Sequence, residues 1–163
     1  MKKIGIYPGT FDPITFGHAD VIRKSLNIVD KLIIGVSEDT SKEHFFDSSE
    51  RVQLVKDCLF KDLSFNKKKI FVVPFNTLTV ELCRKYNATI IFRGLRAVSD
   101  FEYEFQLAGM NRKLNKKIET VFLMSDLENQ VIASKFIKEV ANLGGDIRKF
   151  ASRSIINAIK NKL

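Results

Sequence analysis

Five short apolar runs recur along the chain, and longer segments whose apolar residues follow helical spacing separate them. The runs occupy residues 4–7, 31–36, 70–73, 88–92 and 119–124. Consecutive apolar positions are typical of strands covered on both faces, as in a parallel sheet between two layers of helices. Strands that alternate with helices through short loops indicate a doubly wound α/β fold. We therefore predict a Rossmann-like, five-stranded parallel sheet of order 3-2-1-4-5, with helices on both faces and a C-terminal helix.

The segments between and after these runs predict six helices. They begin near residues 17 and 48 and then span residues 78–86, 97–112, 133–143 and 152–162. Ser48 or Ser49 is a suitable N-cap for the second helix, and Ser99 with Glu102 has the spacing of a capping box for the fourth. Residues 125–130 are predicted to form a loop between the fifth strand and the fifth helix.

The size and cysteine content of the chain favour a simple organisation. A length of 163 residues fits one domain, which we expect to span residues 1–163. No apolar run approaches the roughly 20 residues that cross a bilayer, so we expect no membrane partner. Cys58 and Cys83 lie in separate helical segments, which disfavours a disulfide framework or a structural zinc site. A cytoplasmic location is the simplest setting for such a chain.

Positive charge is concentrated in the C-terminal third of the sequence. The formal net charge is +8, and residues 110–163 contribute +6 of it through 11 basic and 5 acidic side chains. A basic protein can bind nucleic acid, a membrane surface or small phosphorylated ligands. The sequence has no zinc-finger, helix-turn-helix or RNP signature, so we expect no nucleic-acid partner. A non-catalytic basic module that binds nucleic acid stays as an alternative.

The loop after the first run has the residues expected of an anion site. Pro8 and Gly9 end the run and a helix begins near Gly17, so unpaired N–H groups and the positive helix end converge in this loop. Gly17 allows a close approach to the backbone, and Thr10 lies across the same loop. His18, in the first helical turn, can donate a hydrogen bond to an anion there. The alternative is that the prolines stiffen a turn and His18 is an ordinary surface residue.

A second polar segment follows the fourth run. Arg93 and Arg96 stand in the sequence RGLR, directly after residues 88–92. In open parallel sheets, ligands bind at the carboxyl ends of the strands where the strand order reverses, which here lies between the first and fourth strands. Both arginines would then face Thr10 and His18, and guanidinium groups bind phosphate in bidentate fashion. The alternative is a pair of surface arginines in ion pairs.

These two segments resemble the motifs of one enzyme family. The end of YPGTFDPITFGH, residues 7–18, resembles the [H/T]-x-G-H signature of the nucleotidyltransferase superfamily. The whole string resembles that of the bacterial phosphopantetheine adenylyltransferases. RGLRAV at residues 93–98 and DFEYE at residues 100–104 resemble the second motif of the same family. A nicotinate mononucleotide adenylyltransferase or a cytidylyltransferase would share the first signature but not the second. Neither a Walker loop nor a G-x-G-x-x-G fingerprint occurs.

The resemblance covers nearly the whole chain and implies a reaction with named roles. In this family ATP and 4′-phosphopantetheine give dephospho-coenzyme A and pyrophosphate. The implied catalytic residues are Thr10, His18, Lys42 and Arg93. The implied phosphopantetheine-binding residues are Thr10, Lys42, Thr79 and Arg93. The implied ATP-binding residues are Thr10, Phe11, His18, Gly94, Leu95, Arg96, Glu104, Asn129, Gln130, Val131, Ile132, Ala133, Ser134 and Lys135.

The chemistry of this reaction agrees with these residue types. The phosphate of the acceptor is already a nucleophile, so no covalent enzyme intermediate is needed, and catalysis comes from positioning two anions in line and neutralising the charge between them. Magnesium would arrive bound to ATP, and we expect no metal site in the protein itself, because the motifs contain no dense carboxylate cluster. The resemblance also implies a homo-oligomer, a hexamer.

The last ATP-binding segment departs from the family pattern. Many members have Ile-Ser-Ser-Ser where this chain has Ile132, Ala133, Ser134 and Lys135, and Asn129 replaces an aromatic residue. One hypothesis is that Lys135 reaches the β- or γ-phosphate and replaces the missing hydroxyls with charge. The alternative is that its flexible stem carries the ammonium into solvent.

Overall fold

The structure is a computed structural model that describes residues 2–39, 41 and 43–163. Five strands form one sheet: β1 (Ile4–Gly9), β2 (Lys31–Ser37), β3 (Ile70–Phe75), β4 (Ile90–Leu95) and β5 (Glu119–Met124). All neighbouring strands pair in parallel, in the order β3-β2-β1-β4-β5. The predicted fold class and strand order are confirmed.

Helices connect and cover the strands, and the six predicted helices are present. They are α1 (Phe16–Ser25), α2 (Ser48–Lys56), α3 (Thr79–Tyr86), α4 (Val98–Leu114), α6 (Ser134–Asn142) and α7 (Arg153–Lys162). A π-helical segment, Asp57–Asp62, continues α2. The prediction of a plain loop at residues 125–130 was wrong, because a short helix, α5 (Leu127–Gln130), lies there. In the described part of the chain, no helix is both long and apolar enough to cross a membrane.

Two predicted N-caps were wrong. The N-cap of α2 is Asp47, whose carboxylate accepts the N–H of Glu50 at 2.8 Å while the Glu50 carboxylate accepts the N–H of Asp47, also at 2.8 Å. This reciprocal capping box satisfies two helix-end donors, so it outcompetes Ser48 and Ser49. The N-cap of α4 is Ala97, in extended conformation, so the helix begins before Ser99.

The fourth strand is longer than its apolar run, and this shapes the sheet. We predicted that it ends at residue 92, but β4 continues to Leu95, and Arg93 and Gly94 pair with β5. On its other side, β4 pairs with β1 at Ile90 and Ile91, opposite Gly5 and Ile6. The two strands therefore separate towards their carboxyl ends, which opens a gap at the point where the strand order reverses.

The sheet has a hydrophobic core on each face. Along β1, Ile6 packs with Val80 and Leu82 of α3 on one face, whereas Tyr7 packs with Val21 and neighbouring helices on the other. Alternation of this kind follows from the two-residue period of a strand. Both layers hold the end of β1, and with it the following loop, in one place.

Candidate active site

A cavity of about 1000 Å³ lies over the gap between β1 and β4. Its wall is formed by the β1–α1 loop, the end of β4, the start of α4 and residues 130–138, with Glu43 and His44 on one side. This volume is at the upper end of the range for small-molecule sites. The predicted meeting of the two motifs at this edge of the sheet is therefore observed.

His18 is oriented by its own helix. Thr15 is the N-cap of α1, and its N–H donates to Nδ1 of His18 at 3.0 Å. Because a backbone N–H is always the donor, Nδ1 is unprotonated, and the proton of the neutral ring lies on Nε2. The pKa of His18 is lowered to about 4, chiefly because the ring is buried and additionally because the charges of Arg96 and Arg93 oppose its protonation. At neutral pH the ring is a neutral donor that presents Nε2–H.

The ring of Phe11 packs against the His18 ring. Phe11 is 2% exposed, and its ring contacts those of Tyr7 and His18 with centroid distances of 5.6 and 5.1 Å. Its backbone has φ of 50°, a left-handed conformation that side chains rarely adopt. A Cβ at Gly9 would lie 2.9 Å from this ring, so glycine is required there. Phe11 also lines the cavity, and its contact with ATP stays a prediction.

Gly17 permits a close contact within the protein. A Cβ at this position would lie 3.1 Å from the carbonyl oxygen of Asn129. The start of α1 and the segment after β5 therefore touch through their backbones. Asn129 is thus placed beside α1, although it does not line the cavity among the residues described.

Arg93 and Glu104 form one unit, although the resemblance assigned them to different substrates. Nε and Nη2 of Arg93 donate to the two carboxylate oxygens of Glu104, each at 2.6 Å, and Nη1 donates to the carbonyl oxygen of Pro8 at 3.1 Å. Glu104 is 8% exposed, so this is a bidentate pair in a largely buried setting. Of the five guanidinium N–H groups, three are used by these contacts and two face other directions.

Every lysine and arginine in the described lining of the cavity has a carboxylate partner. The pairs are Arg93–Glu104 at 2.6 Å, Lys138–Asp12 at 3.0 Å, Arg96–Asp100 at 3.3 Å and Lys135–Glu139 at 3.8 Å. The first two have partners that are nearly buried, whereas Arg96 and Lys135 have side chains that are 46% and 80% exposed. Each of these four cations is therefore compensated within the free protein, and the two exposed ones, Arg96 and Lys135, have room to turn towards a ligand.

Three residues at this site were missed from the sequence. Asp12 and Lys138 line the cavity as an ion pair. Arg51, which is 1% exposed, donates to the carbonyl oxygens of Thr10, Ser37 and Phe46 and so fixes the loop from behind. Lys138 lies one turn after Ser134, so mapping the face of α6 that carries Ser134 would have found it. Nothing in the local sequence marks Arg51 as buried.

The other predicted residues divide into those in the cavity wall and those elsewhere. Thr10, Gly94 and the segment from Gln130 to Lys135 line the cavity. In the described structure Thr79, the first residue of α3, and Leu95 are not part of this wall. Lys42 lies outside the described residues. These assignments to substrates stay predictions.

Comparisons with known proteins agree with the motifs. Residues 6–140 match the family described as cytidylyltransferase-like. A phosphopantetheine adenylyltransferase of Pelagibacter ubique (strain HTCC1062) is 63% identical over 162 residues, which cover 99% of each chain. Another protein of this name, from Sphingopyxis alaskensis, is 48% identical over 96% of this chain and 91% of its own length. A solved nicotinic acid mononucleotide adenylyltransferase of Plasmodium falciparum aligns with a TM-score of 0.72 at 17% identity, over 99% of this chain and 96% of that one, which shows the fold alone.

Proposed function

The chain belongs to the phosphopantetheine adenylyltransferase family, whose members are nucleotidyltransferases of coenzyme A biosynthesis, and we propose that its cavity binds ATP and 4′-phosphopantetheine side by side. The observation that carries this proposal is the meeting of both family motifs across the gap between β1 and β4, with Nε2–H of His18 and the guanidinium of Arg93 in one wall. The fold thus places a neutral donor, His18, and a charged donor, Arg93, where the two phosphates would react.

The proposed reaction is a direct in-line transfer. An oxygen of the phosphopantetheine phosphate forms a bond to the α-phosphorus of ATP, and the bond from that phosphorus to the bridging oxygen breaks. The electron pair leaves with pyrophosphate, and the product is dephospho-coenzyme A, with no covalent enzyme intermediate. Because the nucleophile needs no activation, the protein contributes position and stabilisation of the developing charge.

Each donor has a role in this scheme. Nε2–H of His18 and the hydroxyl of Thr10 donate to the oxygens of the α-phosphate as their charge rises. The two remaining N–H directions of Arg93 bind the acceptor phosphate, and Lys42 and Thr79 bind the rest of the acceptor. Glu104, assigned to the ATP side, acts by holding the Arg93 guanidinium in its plane, since both carboxylate oxygens are used in that pair.

The nucleotide is proposed to lie beside the acceptor, against the end of β4 and the segment after β5. Gly94, Leu95 and Arg96 bind ATP together with the backbone of Phe11 and residues 129–135. Lys135 stands in the first turn of α6, where its side chain is 80% exposed and its ammonium lies 3.8 Å from Glu139. We propose that it leaves this weak pair and binds the β- or γ-phosphate. If it stays in solvent, its loss will not affect ATP binding.

Magnesium is proposed to enter as the complex with ATP. Hard cations of this kind keep several waters and bind substrate phosphates with one or two carboxylates. Three of the four carboxylates in the described cavity wall, those of Asp12, Asp100 and Glu104, are each engaged by a cation of the wall. The phosphates of ATP, together with water, would therefore supply most of the oxygen ligands, and no residue is assigned to hold the ion by itself.

We also propose that residues 1–163 form a single domain and that the protein is cytoplasmic, without nucleic-acid or membrane partners.

The protein is further proposed to assemble as a homohexamer. The assembly is supported by exposed apolar side chains on two sides of α4, five of which are 45–65% exposed: Phe101, Tyr103, Phe105, Met110 and Leu114. Exposed patches of this kind mark interaction sites. Equilibrium sedimentation is expected to give six times the chain mass, and a Phe105→Glu variant should dissociate; a monomeric parent protein would contradict the proposal.

One experiment tests the reaction. Pyrophosphate release from MgATP is measured with 4′-phosphopantetheine, with nicotinate mononucleotide and with no acceptor. We expect release with phosphopantetheine alone. Release with nicotinate mononucleotide would favour another adenylyltransferase activity. No acceptor-dependent release, together with salt-sensitive binding to DNA or RNA, would favour a nucleic-acid-binding module.

A further inference from the structure

A buried carboxylate in the cavity wall connects three separate parts of the chain. Asp12, in the β1–α1 loop, is 7% exposed. Its Oδ2 accepts the N–H of Phe45 at 2.8 Å and the ammonium of Lys138 at 3.0 Å, and its Oδ1 accepts the N–H of Phe46 at 2.9 Å. One side chain therefore ties this loop to the end of the β2–α2 connection and to the middle of α6.

The Lys138 ammonium compensates the charge of the Asp12 carboxylate, which would otherwise repel an anionic ligand in the cavity. Burial opposes the ionisation of Asp12, but the N–H groups of Phe45 and Phe46 and the Lys138 ammonium outweigh it, so the pKa of Asp12 lies below its usual value. Without the ammonium, a largely buried negative charge would face the incoming phosphates. The attachment is reinforced one turn earlier, where the Ser134 hydroxyl donates to the carbonyl oxygen of Pro13 at 2.7 Å.

The connection held by Asp12 reaches the cavity directly. Glu43 and His44 line it immediately before the two phenylalanines, and Lys42, which lies outside the described residues, precedes them. The carbonyl oxygen of Phe46 is held as well, because it accepts Nε–H of Arg51 at 3.1 Å. Phe46 is thus fixed at both its N–H and its carbonyl group, and each contact comes from a residue that also belongs to, or bonds with, the β1–α1 loop.

We propose that Asp12 and Lys138 are positioning residues whose ion pair fixes residues 43–46, and with them the acceptor side of the cavity, against the β1–α1 loop. Neither side chain touches the reacting atoms. The kinetic consequence rests on the proposed function, whereas the structural consequence can be measured without any substrate.

The structural test is hydrogen exchange at the amides of residues 45 and 46 in the full-length protein. Asp12→Asn and Lys138→Met should each speed exchange at these amides by about tenfold or more, because the acceptor of both N–H groups is weakened. Lys162→Met is a matched control. Its ammonium lies 6.0 and 5.0 Å from the ring centroids of Phe45 and Phe46, but it pairs with Glu50 rather than Asp12.

Two results of this test would overturn the proposal. One is unchanged exchange in the Asp12 and Lys138 variants. The other is an equal increase in the Lys162 variant, which would show that packing on the phenylalanines, and not the ion pair, places the segment.

The kinetic test separates positioning from contact with phosphate. For Lys138→Met and Asp12→Asn, kcat/KM for phosphopantetheine should fall about 10–100-fold, the scale of a misplaced binding group, while KM for ATP changes by less than about threefold. Lys138→Arg should restore most of the loss, and the double variant should be no worse than the more severe single one.

A direct contact would give the opposite pattern. If Lys138 bound an ATP phosphate, Lys138→Met would raise KM for ATP and Asp12→Asn, which frees the lysine, would not, and the positioning role would be wrong. Absence of acceptor-dependent pyrophosphate release in the parent protein would instead refute the proposed function. The exchange measurement would still decide whether the pair holds residues 43–46.

Discussion

Replacing His18 by alanine removes two contributions that differ in size. The first is structural. Nδ1 accepts the N–H of Thr15 as half of a capping box, and the ring packs on Phe11 at 5.1 Å. A net hydrogen bond and an aromatic contact of this kind together contribute about 1–2 kcal/mol. For a chain of this length, that loss corresponds to a decrease of about 2–8 °C in Tm.

The second contribution is to the reaction. Loss of one preorganised donor to a developing oxyanion costs about 10²–10³-fold in rate. Since native proteins have about 5–15 kcal/mol of stability, the structural loss leaves His18→Ala folded at 25 °C. The decrease in turnover would then be due to the missing Nε2–H and not to unfolding.

The assay combines calorimetry with pyrophosphate release at saturating MgATP and phosphopantetheine. His18→Gln is the matched control, because glutamine at this position of a capping box can accept the Thr15 N–H. We expect this variant to recover most of the Tm but to stay at least about tenfold below the parent rate. Near-normal turnover in folded His18→Ala would refute the reasoning, and full turnover in His18→Gln would show that the helix cap is what matters.

Three further predictions concern charge. Because the pKa of His18 is about 4 and the ordinary value is 6.5, the unfolded chain binds its proton more readily. The contribution of His18 to stability should therefore fall as pH decreases between these values, and ¹⁵N spectra of the free protein should show the Nε2–H tautomer unchanged from pH 6 to 8. Arg93→Ala should chiefly weaken phosphopantetheine binding, as should Glu104→Gln, and Arg96→Ala should chiefly weaken ATP binding; calorimetric titrations in which Arg93→Ala weakens ATP alone would contradict its assignment. Lys135→Ala should weaken ATP binding by about 1–2 kcal/mol and make its salt dependence shallower, and an unchanged affinity and salt slope would leave Lys135 a solvated residue.

The sequence was most informative where one physical effect dominated. The apolar runs located all five strands, most clearly at β2, where residues 32–36 are buried without interruption, as expected of a parallel strand covered on both faces. The apolar run that predicts β4 stops at residue 92 because Arg93 is polar, whereas the strand continues to Leu95. A strand accepts this residue since its guanidinium is satisfied by Glu104 and by the carbonyl oxygen of Pro8. The end of the strand was thus decided by a partner eleven residues away.

Errors at helix starts had a local cause. Three successive residues, Asp47, Ser48 and Ser49, are all suitable N-caps. Glu50 stands three residues after Asp47 and completes the reciprocal box, which distinguishes Asp47 from the two serines. At α4 the same spacing does not mark the helix start, because Ser99 and Glu102 have the spacing of a capping box, yet the helix begins at Val98.

The sequence predicts where the site lies but not which of its side chains pair with each other. Motifs at the carboxyl ends of β1 and β4 must meet, because the strand order brings these ends together. The pairing of Asp12 with Lys138 joins residues 126 positions apart, and no local pattern records such a contact. The interior place of Arg51 likewise depends on carbonyl groups from three different segments.

The internal pairing of the cavity's cations sets which anions can compete for the site. A lone inorganic phosphate meets cations that already have a neighbouring carboxylate, so it must exchange one partner for another with little net gain. A triphosphate engages several positions at once, so the cost of turning the exposed Arg96 and Lys135 away from Asp100 and Glu139 is shared among many new contacts. Selectivity would then come from valency rather than from the strength of any one contact. A protein with a formal charge of +8 would in this way bind small anions weakly and still bind a nucleotide.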